Sequence, residues 1–218
     1  MIGTGKSTLA EIISERYEIP LYKEPIDSPI LKKFYIASPE EQERQRYPFL
    51  LQLDFLARRY SILQEASLTG KVSVMDRSLH EDVHFAKVNT DIGNIRQDEF
   101  DAYLGVYEAM MREYNAVRDK HPVLMVFLTG SFETSINRIK QRGREMELGD
   151  DLLDYYYQLW SGYEDWVDNH YKASEVLKVN VDEWDFKNNP EHQEKVLLDI
   201  EELVNQKVER NQQLKLLK

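Results

Sequence analysis

Residues 3–8 read Gly-Thr-Gly-Lys-Ser-Thr, three small residues followed by a lysine and two hydroxyls. The spacing matches the back end of the phosphate-binding pattern G-x-x-x-x-G-K-[ST], whose first glycine would fall one position before Met1. Gly3, Thr4 and Gly5 allow successive backbone N–H groups to converge on a phosphate. Lys6 can reach the β/γ-phosphate oxygens, and Ser7, with Thr8 beside it, can offer a hydroxyl to Mg2+. The segment Leu9-Ala10-Glu11-Ile12-Ile13 then reads as a helix whose positive N-terminal end faces the anion. The competing reading is an N-terminal tail before an ordinary helix.

Other polar residues extend this chemistry. Glu24 follows a short apolar segment, where a carboxylate can take the proton of an attacking hydroxyl; otherwise it is a solvated turn residue before Pro25. Asp76, directly after Met75, is placed to hold Mg2+ itself or through water, and Arg77 to touch a transferred phosphate. A strand-end salt bridge is the plainer alternative. Residues 138–144 carry Arg138, Lys140, Arg142 and Arg144, four cations in seven residues of an acidic chain. Such a reversal suits a triphosphate, with Arg142 and Arg144 closing as a lid, although cations also complement a helix C-terminus. Gln52 and Arg59 lie seven apart on one helix face and could meet a nucleobase edge; from spacing alone, two exposed polar residues are the simpler account. His80-Glu81-Asp82-Val83-His84 matches the H-E-x-x-H zinc pattern, but no third ligand is evident and the phosphate loop argues for other chemistry.

These residues need elements to hold them. Strands are predicted at 21–23, 72–75, 123–128 and 176–179, the third buried on both faces. Helices are predicted at 42–68, about 80–88, 97–119, 131–142, 151–171 and 190–210. Strand–helix alternation implies an α/β fold with a mostly parallel sheet flanked by helices on both faces. Ligands in such sheets bind beyond the carboxyl ends of the strands, which selects 3–8, Glu24 and Asp76-Arg77-Ser78 together. The aromatic cluster Tyr155, Tyr156, Tyr157, Trp160, Tyr163 and Trp166 reads as core and interface. At 218 residues, one domain over 1–218 is expected.

A net charge of −11 and pI near 5.0 disfavour a nucleic-acid polymer as partner. The absence of cysteine removes disulfides and zinc–thiolate sites. No apolar run approaches the ~20 residues of a membrane span, so no membrane partner and a cytoplasmic location are expected.

Together the motifs resemble the deoxyribonucleoside kinase family, particularly its bacterial deoxyadenosine/deoxyguanosine kinase branch. The resemblance runs through Gly3–Thr8, Glu24-Pro25, Phe49–Gln52 with Arg59, Asp76–Asp82, Phe85–Asn89, Arg138–Arg144 with Glu147, Leu152–Tyr156 and Asp185-Phe186. It implies a P-loop kinase fold, ATP and Mg2+ as cofactors, and phosphorylation of the 5′-hydroxyl of a deoxyribonucleoside, a purine first, in nucleotide salvage. It implies Glu24 as general base and Arg77 as the group that steadies the reactants. It assigns Gln52, Arg59 and Asp82 to the base, and Glu147 with Tyr35 to the 3′-hydroxyl. Arg142 and Arg144 fall in a lid at about 138–150, and Arg138, Asp185 and Phe186 near the donor adenine. A homodimer through two long helices is implied, with a heterodimer as the alternative. His80 stands where relatives often carry tyrosine.

The family's first strand would precede residue 1. Burying about five apolar side chains at ~1.5–3 kcal/mol each amounts to roughly 10 kcal/mol, against a total stability of about 5–15 kcal/mol. Met1 is therefore expected to be an internal methionine of a longer protein, and a chain starting there to bind ATP weakly. Two rivals share the motifs: a nucleoside monophosphate kinase of thymidylate-kinase type, and a non-catalytic nucleotide-binding subunit of a heteromeric kinase.

Overall fold

The structure is a computed structural model that describes residues 2–24, 27–118, 122–149 and 152–216. Pro25, expected to stop the first strand, lies outside the described residues. So do Met1, Asp119, His121, and Asp150 and Asp151 at the junction of the expected lid and helix.

Helix α1 (Lys6–Tyr17) starts directly behind Gly5, whose φ of 93° turns the loop into the helix, and buries Leu9, Ala10 and Ile13. Strand β1 (Leu21–Tyr22) follows, then α2 (Pro29–Ile36), which the sequence reading did not anticipate. Ser28 caps α2 by accepting from the N–H groups of Ile30 and Leu31, and Pro29 opens its first turn.

The helix expected over 42–68 is two helices, α3 (Pro39–Gln45) and α4 (Tyr47–Leu68). Pro48 cannot donate to a preceding turn and its ring would clash there, so the chain breaks at Arg46, which adopts φ 56°. Arg46 fastens the break by donating to both carboxylate oxygens of Glu99, at 2.7 and 2.5 Å. Strand β2 (Val74–Met75) is shorter than expected; α5 (Glu81–Asp91) and α6 (Gln97–Arg118) follow.

Strand β3 (Leu124–Thr129) leads to α7 (Phe132–Arg142), capped by Ser131 and stopped by Gly143 at φ 69°. A single 3-10 turn, Glu145–Glu147, precedes α8 (Leu153–Ser161) and α9 (Tyr163–Asn169). One helix was expected over 151–171. Gly162 interrupts it where a side chain would crowd His84, its Cβ falling 3.1 Å from the ring. Strand β4 (Glu175–Asn180) and α10 (Pro190–Leu216) complete the order.

Among the described residues the expected single sheet is two parallel pairs, β1–β2 and β3–β4. The first registers Leu21 with Val74 and Tyr22 with Met75; the second runs from Leu124–Glu175 to Thr129–Asn180. β3 was expected to be buried on both faces, yet only Phe127 and Leu128 are fully so. The remaining positions of β3 are half-buried. One core cluster joins α1 (Leu9, Ile13) to β3–β4 (Leu128, Val179) and α10 (Val196, Leu197, Ile200). Another packs α4, α5 and α6 around Leu56, Ala86 and Tyr103.

Candidate active site

The β1–β2 register decides what meets at the strand ends. Tyr22 lies opposite Met75, so Lys23 and Glu24 emerge beside Asp76 and Arg77. Arg77 Nε reaches Glu24 Oε1 at 2.8 Å, and Arg77 Nη1 lies 3.1 Å from Glu81 Oε1 one turn into α5. α4 brings Arg59 to the same carboxylate: its Nη2 donates to Glu24, while its Nη1 donates to Asp82. Tyr163 donates to Glu81 from the opposite side. The guanidinium of Arg59 lies 4.3 Å from the Phe55 ring, and that of Arg77 lies 4.8 Å from the Phe85 ring. Both cations therefore have an aromatic wall on one face and carboxylates at their edge.

The phosphate loop faces this cluster. Ser7 Oγ donates to Asp76 Oδ2 at 2.6 Å. Asp76 Oδ1 is buried and has no hydrogen-bond partner. A hydroxyl beside a carboxylate oxygen with open acceptor capacity is an oxygen donor set that suits Mg2+. Gly3 and Gly5 are required by shape. Both have positive φ, and a Cβ on Gly3 would lie 2.5 Å from the Ser135 carbonyl oxygen. Arg138 anchors the loop from α7, donating from Nη1 to the Thr4 carbonyl at 2.9 Å and from Nη2 to that of Val181 at 3.3 Å.

Electrostatics follow from three cations, Lys6, Arg59 and Arg77, set among four carboxylates, Glu24, Asp76, Glu81 and Asp82. Burial works against the charge of Glu24, but Arg77, Arg59 and Lys6 outweigh it and hold the carboxyl down at about 2. Glu81 is likewise opposed by burial and held at about 2, chiefly by Arg77. Asp76 is raised, first of all by burial, and Asp82 is raised further. Burial pushes it up to about 7 despite Arg59 and Arg77, with Glu81 and Glu24 adding to the rise. Lys6 is lowered to about 8 by burial and then by Arg77, against the pull of Glu81, Glu24 and Asp76.

A cavity of about 670 Å3 opens between the cluster and the loop, within the range of small-molecule sites. Its wall includes Gly3, Gly5, Lys6, Ser7, Thr8, Glu24, Asp76 and Arg77. Tyr35, Gln52, Arg59 and Glu147, the residues expected on the acceptor, also face it, as do Arg138, Arg142, Arg144, Asp185 and Phe186. Two expected site residues do not. Asp82 has no exposed surface and sits behind Arg59, and Thr4 is 1% exposed beneath the loop. Asp185 instead organises its own turn, accepting from Asn188 at 3.0 and 3.1 Å. The two histidines of the H-E-x-x-H pattern diverge, His80 Nδ1 lying 2.7 Å from the Tyr107 hydroxyl and His84 Nε2 3.4 Å from the Leu159 carbonyl oxygen.

The deoxynucleoside kinase family model matches residues 1–205. The chain belongs to the deoxynucleoside kinase family. It is 36% identical over 205 residues to a deoxyadenosine kinase of Lactobacillus acidophilus, with 92% of each chain covered. It is 34% identical to a deoxyadenosine/deoxycytidine kinase of Bacillus subtilis, covering 94% of this chain and 90% of that one. The solved deoxyadenosine kinase from M. mycoides with bound dATP superposes with a TM-score of 0.70 at 26% identity, covering 92% of this chain and 96% of that one. The fold is therefore that of the P-loop kinases, and the chain is a phosphotransferase of the deoxynucleoside kinase type.

Several contributors to this kinase site escaped the sequence reading. Phe34, Phe55, Phe85 and Tyr155 line the cavity. Phe34 comes from α2, whose Ser28-Pro29 start was a readable cap signal. Glu81 is 5% exposed, and its four-residue spacing from Arg77 announced the pair. Tyr156 donates to the backbone carbonyl of Glu147 at 3.2 Å. No periodic pattern marks that tie, because it joins α8 to a turn.

Proposed function

We propose that this chain transfers the γ-phosphate of ATP to the 5′-hydroxyl of a deoxyribonucleoside, a purine deoxynucleoside first, in nucleotide salvage. The observation that carries the proposal is that Glu24 lines the same cavity as Lys6, Ser7 and Asp76. The purine preference follows relatives named deoxyadenosine and deoxyguanosine kinase; the Bacillus subtilis relative named for deoxycytidine as well marks the alternative base.

In this reading the nucleoside enters with its base toward Gln52 and Arg59 and its 3′-hydroxyl toward Glu147 and Tyr35. Asp82 acts on the base through Arg59. The 5′-oxygen forms its bond to the γ-phosphorus as the bond to the bridging β,γ-oxygen breaks, ADP leaves, and the hydroxyl proton passes to Glu24. A carboxyl held near 2 is a weak base. A loose transition state tolerates this, because the attacking hydroxyl acidifies only as bonding to phosphorus advances and the proton moves late. Arg77 holds the Glu24 carboxylate in place. Lys6 regains full charge when a phosphate arrives beside it, and Arg142 and Arg144 close from the lid at 138–150. Ser7 and Asp76 are the residues that would hold Mg2+, which when bound supplies charge neutralisation at the β- and γ-oxygens.

We further infer one kinase domain over 1–218, a cytoplasmic location and a homodimer through the 22-residue helices α4 and α6. No helix among the described residues is long and apolar enough to cross a membrane. Radiolabelled phosphate transfer to the four deoxynucleosides and to dAMP and dTMP tests the main reading. Transfer to a purine deoxynucleoside is the expected result; transfer to none of the four, or preferential transfer to a monophosphate, refutes it. Light scattering tests the dimer.

A further inference from the structure

Both lid arginines end on one carboxylate. Arg142 Nη2 contacts Glu147 Oε2, and Arg144 Nη1 lies 3.2 Å from Glu147 Oε1, so each oxygen already serves a guanidinium. The Glu147 side chain is 9% exposed, whereas the arginines are 35% and 37% exposed. The backbone of Glu147 is fixed twice. Its N–H donates to the Arg144 carbonyl at 2.8 Å, and its own carbonyl accepts from Tyr156. Tyr35, on the acceptor side of the cavity, lies beside Tyr156. Each carboxylate oxygen can accept a second donor, but the side chain has little room and its backbone is held, so a new partner crowds the arginines already there.

We infer that Glu147 makes the acceptor's 3′-hydroxyl a specificity determinant that is expressed in donor binding. This rests on the proposed role of Glu147 as the partner of that hydroxyl. A 3′-hydroxyl donating to Glu147 displaces one guanidinium N–H, and the released arginine turns to the donor's phosphates. A nucleoside with a 3′-hydroxyl therefore tightens the binding of ATP. A 2′,3′-dideoxynucleoside fills the same base site, leaves both arginines on Glu147, and does not. The kinase thus discriminates against dideoxynucleosides a second time, after binding, through the lid.

The test needs only the wild-type chain in its first arm. The dissociation constant of a non-hydrolysable ATP analogue with Mg2+ is measured by calorimetry on the free protein, saturated with deoxyadenosine, and saturated with 2′,3′-dideoxyadenosine. Deoxyadenosine is expected to tighten the analogue about five- to tenfold, the low end of typical couplings because the arginines are partly exposed. Dideoxyadenosine is expected to leave it unchanged. In Glu147→Gln, the analogue should bind the free protein more tightly and the difference between the two nucleosides should vanish. Equal tightening by both nucleosides, together with weakened deoxyadenosine binding in Glu147→Gln, overturns the coupling while leaving Glu147 on the 3′-hydroxyl. Unchanged deoxyadenosine binding in Glu147→Gln overturns the proposal at its root, by removing Glu147 from the sugar.

Discussion

Replacing Glu24 by glutamine keeps the shape of the site and removes one negative charge from between two guanidinium groups. The consequence for stability can be worked from the structure. The Glu24 side chain is 22% exposed, and its carboxyl is opposed by burial yet held at about 2, against an ordinary 4.5, by Arg77, Arg59 and Lys6. That depression corresponds to about 3 kcal/mol of native-state stabilisation of the charged form. The sign is that of a lowered carboxyl: the contribution is complete above about 4.5 and is lost as pH falls toward about 2. Glu24→Gln forfeits it at neutral pH, where Arg59 and Arg77 then share too little negative charge. In a chain of this size the melting temperature should fall by about 6–12 °C. Turnover should fall by about 10²–10⁴-fold because no group remains to take the hydroxyl proton. Nucleoside affinity should persist, since Gln52 and the aromatic walls are untouched. Calorimetric melts, equilibrium nucleoside binding and steady-state phosphate transfer on the same preparation separate the three quantities. A turnover loss below about tenfold removes Glu24 as the base. An unchanged melt refutes the charge accounting.

Asp82, raised to about 7 by burial, is a carboxyl whose charging costs stability as pH climbs from 3.8 toward 7. Between about pH 5 and 8 the wild-type melting temperature should therefore decline more steeply than that of Asp82→Asn; parallel profiles would contradict the raised carboxyl at this site. Asp76→Asn should raise the half-saturating Mg2+ concentration of the transfer assay by about 10–100-fold while leaving nucleoside binding intact, and an unchanged Mg2+ titration would remove Asp76 from the metal site. Ser131→Ala deletes the acceptor that caps the Thr134 N–H at 3.2 Å, and should cost about 1 kcal/mol in thermal unfolding. Because α7 carries Arg138 and the start of the lid, weaker ATP binding should accompany that loss.

The parts of the site that were legible are those fixed by local chemistry. Gly3 and Gly5 mark a loop that only glycine can shape, and Ser131 and Gly143 bracket α7. The positions of Glu24 and Asp76 followed from strand ends. Pro48 could have placed the break between α3 and α4, but the apolar spacing of Phe49, Leu53 and Leu56 extends smoothly enough to hide it. The ion cluster was not legible. Arg59 joins Glu24 to Asp82 across 35 and 23 residues of sequence, and a side chain seven positions from Gln52 can face a ligand or a carboxylate equally well. That Asp82 lies behind Arg59 depends on how α5 packs against α4, which no sequence period records.

Helix α1 ties the two strand pairs together: its Leu9 and Ile13 share one core cluster with Val74 of β2 and with Leu128 and Val179 of β3–β4. Ser7 holds the end of β2, while Gly3 and Thr4 touch α7 through Ser135 and Arg138. A triphosphate gripped by the phosphate loop braces a helix that packs against both pairs. Hydrogen exchange should therefore slow in both β1–β2 and β3–β4 when nucleotide binds.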